Sequence, residues 1–436
     1  MAQYRTDTKK LDGPSLVTRY EVGMLSDRLT PSGTLTDAFG RIRISDSLTL
    51  FDSQHRYQDN GKWNTANTAS CNTVHQANES VVDLNVDTTS GHYVYRETKR
   101  VFAYQPGKSL LIMNTFVMNQ PKANLRQRVG YFSSQNGVFF ENDGTTNYMV
   151  LRSYVTGAVV ETRVPQSSWN GDMFDGTGLS SQSTTQEHRG GLNVTKSNIF
   201  WTDVEWLGVG DVRCGFVVNG IPRVAHTFHN DNINSTTYMT TACLPCRYEI
   251  ENTGTTSSNS TMKQICSTVI TEGGYELSGK QRAVGIPITT PKDIPIAGTF
   301  VPIISIRLKS TRLDAIVIPN NVAFAGVTNN TQYRYKIVVN PTLDANAVWT
   351  STSATSSVEY DISATGYTSG DDTKIGYINV GAGSGASVVD FQDGLFKFQL
   401  ERDSFTNTAT IFSLVATGAS NGNDALGSID WEEIVQ

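Results

Sequence analysis

Cys214-Gly-Phe-Val-Val-Asn219-Gly220-Ile221-Pro222-Arg-Val-Ala-His226 is the stretch that decides the fold class. Asn-Gly is the preferred pair for a two-residue hairpin turn, because both central positions take positive φ. The apolar and β-branched residues on either side predict two antiparallel strands. Pro222 has no N–H to give to a ladder, so its strand should have an open side, as at a sheet edge.

The same rhythm continues outward from this hairpin. Strands are expected at 80–86, 92–102, 109–118, 126–132, 137–141, 148–155, 200–207, 211–218, 221–228, 246–252 and 261–270, and Gly, Asn, Asp or Pro clusters separate most of them. Many short strands with almost no helical periodicity indicate a sandwich or jelly roll. Around 279–293 strand character fades and the chain passes Pro287 and Pro291. Apolar runs then resume at 303–308, 315–318, 333–339, 377–380, 395–400 and 411–416, and the chain ends in an apolar run at 429–436. The expected fold class is all-β. Its parts are an extended N-terminal anchoring arm (1–70), a jelly-roll or concanavalin-like β-sandwich (71–277), a linker (278–293) and a second, smaller β-sandwich domain (294–436).

Bulk properties narrow the function classes. Of 436 residues 17% are charged, well below the roughly 25% of an average soluble protein. Hydrophobic residues make up 38%, with 18 Phe, 17 Tyr and 6 Trp, enough for packed cores. The net charge of −6 gives no overall cationic excess for nucleic-acid phosphates, so no nucleic-acid partner is expected. Arg96, Lys99, Arg100, Arg126 and Arg128, the candidates for a local basic patch, sit inside strand-like runs. No window approaches the roughly 18 apolar residues of a membrane span, so no membrane insertion is expected. Residues 1–10 lack the apolar core of a signal peptide, which points to synthesis in a host cytoplasm.

The segment Thr36-Asp-Ala-Phe39-Gly-Arg41-Ile42-Arg43-Ile44-Ser-Asp46, running on to Leu50-Phe51, alternates cationic and apolar side chains. That is a strand with one greasy and one charged face. With no hairpin partner nearby, such a strand pairs far along its own chain or on another chain. We expect the second. Phe39, Arg41, Ile42, Arg43, Ile44, Leu50 and Phe51 are the candidate partner-binding residues.

Three sets of phrases carry a family resemblance. They are the block 37–53; Tyr104-Gln-Pro-Gly-Lys108 with Phe116–Asn119, 124–132 and Asn136–Phe140; and Glu205–Gly210 with Val212–Phe216, Tyr238–Thr241, Arg247–Ile250 and Lys263–Cys266. Together they resemble virion structural proteins of cyanophages and other marine tailed phages, over roughly 30–277. The resemblance implies a non-enzymatic particle component without fixing its place on the virion. A second, shorter likeness covers Asp203 to Phe228, which resembles the back-sheet hairpins of legume-lectin and laminin-G jelly rolls.

Asp203 and Glu205 are two apart on an expected strand, and laminarinase-type jelly-roll glycosidases carry three carboxylates along one strand. Here a third is missing, and the pair is better read as a solvated strand face or as structural partners of an arginine such as Arg213. Cys243-Leu-Pro-Cys246 with His226 and His229 has zinc-like spacing. However, five cysteines, an odd number, in a large core favour buried free thiols, so no metal and no cofactor are expected. Trp169, Asn170, Asp172 and Asp175 form the candidate glycan-binding loop, an aromatic platform beside amides and carboxylates.

The combined expectation is a virion protein on the tail, baseplate or fibre, held by its arm to other virion proteins as a homo-oligomer, a trimer by preference. A head decoration protein and a module binding host surface glycans are the alternatives.

Overall fold

Phe140 stands at the middle of the larger core, with the rings of Phe216, Phe116, Phe200 and Trp169 at centroid distances of 5.1, 6.0, 6.0 and 6.5 Å. Those partners come from distant parts of the chain. A computed structural model describes residues 47–177, 191–272, 279–381, 385–390 and 399–435, with 272, 385–390 and 435 described as backbone alone. It shows how the partners are assembled.

In the N-terminal half the strands are β1 (Ser47–Gln54), β2 (Trp63–Asn67), β3 (Asn72–Gln76), β4 (Val81–Val86), β5 (Tyr93–Thr98), β6 (Leu110–Val117), β7 (Leu125–Phe132), β8 (Gly137–Asn142), β9 (Asn147–Ser153), β10 (Val160–Pro165), β11 (Asn198–Val204), β12 (Val212–Val218), β13 (Ile221–Phe228), β14 (Cys246–Asn252) and β15 (Ser260–Glu272). They build two antiparallel sheets. One runs β13-β12-β11-β6-β15-β4-β3, with β1 also paired to β15. The other runs β10-β9-β8-β7-β14-β5-β2. Alternate residues of each strand point inward and pack between the sheets, which is the sandwich geometry.

The turn that opened the sequence argument behaves as its chemistry requires. Asn219 and Gly220 have φ of 52° and 76°, and Val218 pairs with Ile221. Pro222 lies on β13, the end strand of its sheet. A bulge between Cys214 and Gly215 shifts the register, and a Cβ at Gly215 would collide with the Arg223 carbonyl.

Two expectations about boundaries need correction. Residues 47–70 are not part of an arm reaching to another chain. β1 pairs with β15, Leu50 and Phe51 are buried, and the Phe51 ring packs on Phe102 (5.2 Å) and Trp63 (6.0 Å). The partner strand lies some two hundred residues on in the same chain, and burial of two large apolar side chains there outweighs leaving them for a neighbour. Residues 278–293 are likewise no plain linker. Lys280–Gly285 and Lys292–Ile294 both pair with the strand Asn423–Val435.

The C-terminal half is again all-β. One sheet orders Lys280–Gly285, Asn423–Val435, Ile316–Gly326 and Gly385–Asp390. The other orders Thr350–Ser351, Val358–Asp361, Val301–Leu308, Phe412–Gly418, Thr331–Val339 and Asp371–Val380. A second core forms between them around Ile304, Ile306, Phe324, Leu414 and Trp431. The final strand is tied down through its whole length, with Trp431 fully buried. The strand Ile316–Gly326 serves both cores: Val317, Val322 and Phe324 face the second, whereas Ile316 and Ile318 complete the first. Residues 48–436 accordingly form one compact unit.

Candidate functional site

The candidate glycan loop leaves η1, a single 3-10 turn at Gln166–Ser168, and runs beside β13, with the Gly171 and Asp172 N–H groups donating to the Ala225 (2.9 Å) and Val224 (2.8 Å) carbonyls. Trp169 is not a platform. It is 2% exposed, its indole N–H donates to the Val164 carbonyl (3.1 Å), and its ring meets Phe140, Phe174 and Phe216. The Asn170 side chain donates to and accepts from the backbone of Thr227, at 2.9 and 2.8 Å. Asp172 is buried and accepts from the Phe174 N–H, while Asp175 accepts from both the N–H and the hydroxyl of Thr177. Trp169 and Asn170 fasten the loop to the sandwich edge and Asp172 and Asp175 close turns within it. An indole gains more from burial beside three aromatic rings than from display in water.

The acid pair is not assembled either. Asp203 is ion-paired to Arg213 directly across the ladder. Strand β11 ends at Val204, so the two-residue alternation does not carry over to Glu205, which enters a turn closed by its N–H to the Asp211 carbonyl (3.2 Å). The zinc-like cysteines are core groups. Burial pushes the Cys243 thiol up to about 12 and raises Cys246 as well. His226 is buried against the Asn170 N–H, and His229 is exposed beside Asp211 (2.9 Å). Cys266, expected to be buried with the others, is exposed. The arm residues Phe39, Arg41, Ile42, Arg43 and Ile44 lie outside the described residues.

What the sequence reading missed is the outward face of the β10-to-β2 sheet. Alternate residues that turn away from the main core form a mosaic of arginine, glutamate and aromatic rings. Arg128 meets Glu141 (2.6 Å) and Glu249 (3.1 Å), Arg152 meets Glu161 (2.7 Å), and Arg247 meets Glu97 (3.0 Å) and Glu249 (2.7 Å). The Arg247 guanidinium stacks 3.7 Å from the Tyr95 centroid and Arg163 lies 4.2 Å from Tyr148. Phe132, Phe139 and Val150 make a separate small apolar cluster on this side. Burial raises the Glu249 carboxyl, but Arg247 and Arg128 outweigh it and hold it at about 2. A glutamate fixed as an anion in this way has no proton to give at neutral pH. The signal of this face was in the sequence: Arg126 and Arg128 alternate on one expected strand, Glu249 and Glu251 on another, and these strands pair. Arg126 and Arg100 are also matched, to Glu251 and Glu401, each at 2.5 Å, and Arg96 to Asp59 (2.6 Å). Those arginines do not form a free basic patch.

Two of the clefts among the described residues bear on function. One of about 890 Å³ lies between the halves, lined by Gln135, Thr241, Arg312, Asp314 and Arg402. Its Asp314 is already held by Arg402 (2.9 Å) and the Thr241 hydroxyl (2.8 Å). The other, about 460 Å³, opens between the edge strands β10 and β13 of the two sheets, where Ser153, Thr162, His226, Thr227, Asn230 and Tyr238 line it.

No protein-family model matches the chain, and no curated protein matches it. Solved structures similar to it include arcelin-5, a lectin-like defense protein from Phaseolus vulgaris, at 9% identity, covering 52% of this chain and 99% of that one with a TM-score of 0.31. Two others come from phages. A carbohydrate esterase of the Shiga toxin-encoding bacteriophage phi24B has 10% identity, covers 52% and 100% of the two chains, and has a TM-score of 0.29. The CBM2 module of the evolved Dit of Lactobacillus casei phage J-1 has 6% identity, covers 54% and 100%, and has a TM-score of 0.33.

Proposed function

We propose that this chain is a non-enzymatic structural component of a tailed-phage virion, attached to neighbouring virion proteins through the segment that precedes Ser47. The observation that supports it is where the virion-like phrases fall. The blocks 124–132, Asn136–Phe140, Val212–Phe216, Arg247–Ile250 and Lys263–Cys266 lie on β7, β8, β12, β14 and β15, the strands that build the two sheets. Most of the likeness therefore resides in the strands of the scaffold, with Tyr238 and Thr241 of a further block at the clefts, and a scaffold-borne likeness suits a protein whose task is mechanical. The leading segment keeps the alternating Arg41-Ile42-Arg43-Ile44 pattern of a strand seeking a ladder.

The test is a truncation that respects β1. Removing residues 1–46 should leave a folded protein that no longer joins particles when it replaces the full chain during infection. Normal incorporation of that truncation would refute the attachment mechanism.

A second reading, recognition of a host surface glycan, is favoured by the cleft between β10 and β13. Its volume falls within the usual range for small-molecule sites, and hydroxyl, amide and imidazole groups suit a neutral saccharide. Thr162→Trp would fill it. Loss of glycan-array binding in that variant supports this reading, and indifference of the wild-type protein to every glycan ends it.

A further inference from the structure

Cys71, Asp87 and His92 lie where the chain crosses twice between the sheets, at one end of the sandwich. Cys71 ends the passage from β2 in one sheet to β3 in the other, and Asp87 and His92 bracket the return from β4 to β5. Among the described residues this is the group of three metal-ligating side chains whose donor atoms all lie within 4.8 Å of one another. The Cys71 Sγ is 3.8 Å from the His92 Nδ1, which is 2.9 Å from the Asp87 Oδ1. Each residue is also positioned from behind. The Asn67 side chain donates to the Cys71 carbonyl (2.6 Å), the Thr89 N–H donates to the Asp87 carboxylate (2.9 Å), and the His92 N–H donates to the Thr89 carbonyl (3.2 Å).

The arrangement has a property that distinguishes two chemistries. A thiol–imidazole–carboxylate relay for nucleophilic attack needs sulfur on one ring nitrogen and carboxylate on the other. Here both partners meet the same nitrogen, Nδ1, so the ring cannot pass a proton between them. Three donors gathered within 4.8 Å of one another suit coordination instead. Bonds of about 2.3 Å to sulfur and about 2.0 Å to nitrogen and oxygen around a tetrahedral ion separate the donors by roughly 3.3–3.6 Å. The His92 Nδ1 spacings to Cys71 Sγ and Asp87 Oδ1, 3.8 and 2.9 Å, bracket that range, and the Cys71 and Asp87 donors lie within 4.8 Å of each other, so side-chain adjustment closes the set around an ion. One thiolate, one imidazole and one carboxylate match the borderline-soft preference of zinc-class ions and not the all-oxygen shells of calcium or magnesium.

We propose that Cys71, Asp87 and His92 form a three-residue site for a divalent cation of the zinc class, with the fourth position open to water. Bound there, the ion cross-links the two sheet-to-sheet crossovers and clamps the end of the sandwich. Binding expels the thiol proton to solvent, so the site closes as an anionic thiolate and carboxylate around a dication.

The test uses the full chain, stripped with a chelator and titrated with Co²⁺, in a Cys266→Ser background that removes the exposed thiol. One equivalent should produce a thiolate-to-cobalt charge-transfer band, and Zn²⁺ should displace it. Cys71→Ser should abolish the band, and His92→Ala, which removes a ligand, should weaken binding by more than the roughly 100-fold that loss of an outer-shell partner costs. A folded protein that shows no such band, or a band that survives Cys71→Ser, overturns the site. Thermal melting of the unmutated chain gives a check independent of variant folding: saturating Zn²⁺ should raise Tm, and an unchanged Tm would also count against the proposal.

Discussion

Arg128 and Glu249 illustrate how a charge comes to rest inside this protein. Removing a carboxylate from water is unfavourable, and it is offset here by three guanidinium contacts at hydrogen-bonding distance. Breaking the set by Arg128→Met leaves Glu141 and Glu249 short of a partner and should cost about 3–5 kcal/mol in denaturant unfolding. The pH dependence follows from the sign of the shift. Glu249 has its carboxyl held at about 2 in the folded chain, below the ordinary value of about 4.3 for a free glutamate. Its contribution is therefore present above about pH 4.5 and is lost as pH falls towards 2. Glu161 is also lowered: its burial acts upward, and Arg152 and Arg128 outweigh it. Burial raises Glu97, which contributes in the opposite sense. Glu249→Gln should thus destabilise the protein near neutrality and flatten the acid limb of its stability curve. An unaltered acid limb would show that the network does not govern acid unfolding.

At the scale of elements, hairpin chemistry and strand pairing make separate demands on glycine. Gly220 sits at a turn with φ of 76° and open space around its Cα, so Gly220→Ala meets conformational strain alone, about 1 kcal/mol. Gly215 sits at the bulge with the Arg223 carbonyl against it, and Gly215→Ala must move a backbone. The expected order is a small loss of Tm for the first and a loss several-fold larger for the second, measured by circular dichroism. Strand β1 supports a related expectation. Removing residues 1–46 keeps β1 and its core side chains in the chain, but extending the truncation to residue 54 strips out Leu50 and Phe51. Each is worth about 1.5–3 kcal/mol of burial. The longer truncation should melt well below the shorter one, and equal Tm values would contradict the placement of β1.

For the whole molecule, the decisive feature is that the two cores share a strand. Ile316 and Ile318 are fully buried in the first core although their strand belongs to a sheet of the second. Across the same region Arg100 pairs with Glu401, the Asn64 side chain donates to Asp403 (2.9 Å), and Phe405 packs on Tyr95 (5.4 Å). The halves should therefore unfold together. Ile318→Ala, at about 2–5 kcal/mol, should lower a single transition seen alike by tryptophan fluorescence and far-ultraviolet circular dichroism. Two resolved transitions, with only one displaced, would mean the halves are energetically separate.

How far local sequence carries is visible in particular segments. The hairpin at Asn219-Gly220, the edge position of Pro222 and the strands Ile221–Phe228 and Cys246–Asn252 follow from turn chemistry and alternation, because those preferences act within a few residues. The ion-paired sheet face was legible only as unmatched halves, arginines on one strand and glutamates on another more than a hundred residues away. The fates of Leu50, Phe51 and Trp169 were not legible at all. An apolar side chain looks the same in sequence whether it waits for a partner, a sugar or its own core, and the choice rests on which surface reaches it first in three dimensions. By itself the sequence determined an all-β chain with its turns and edges in place. Only the tertiary structure decided which greasy residues were already spent, since burial is a property of the assembled sheets and not of the strand that carries the side chain.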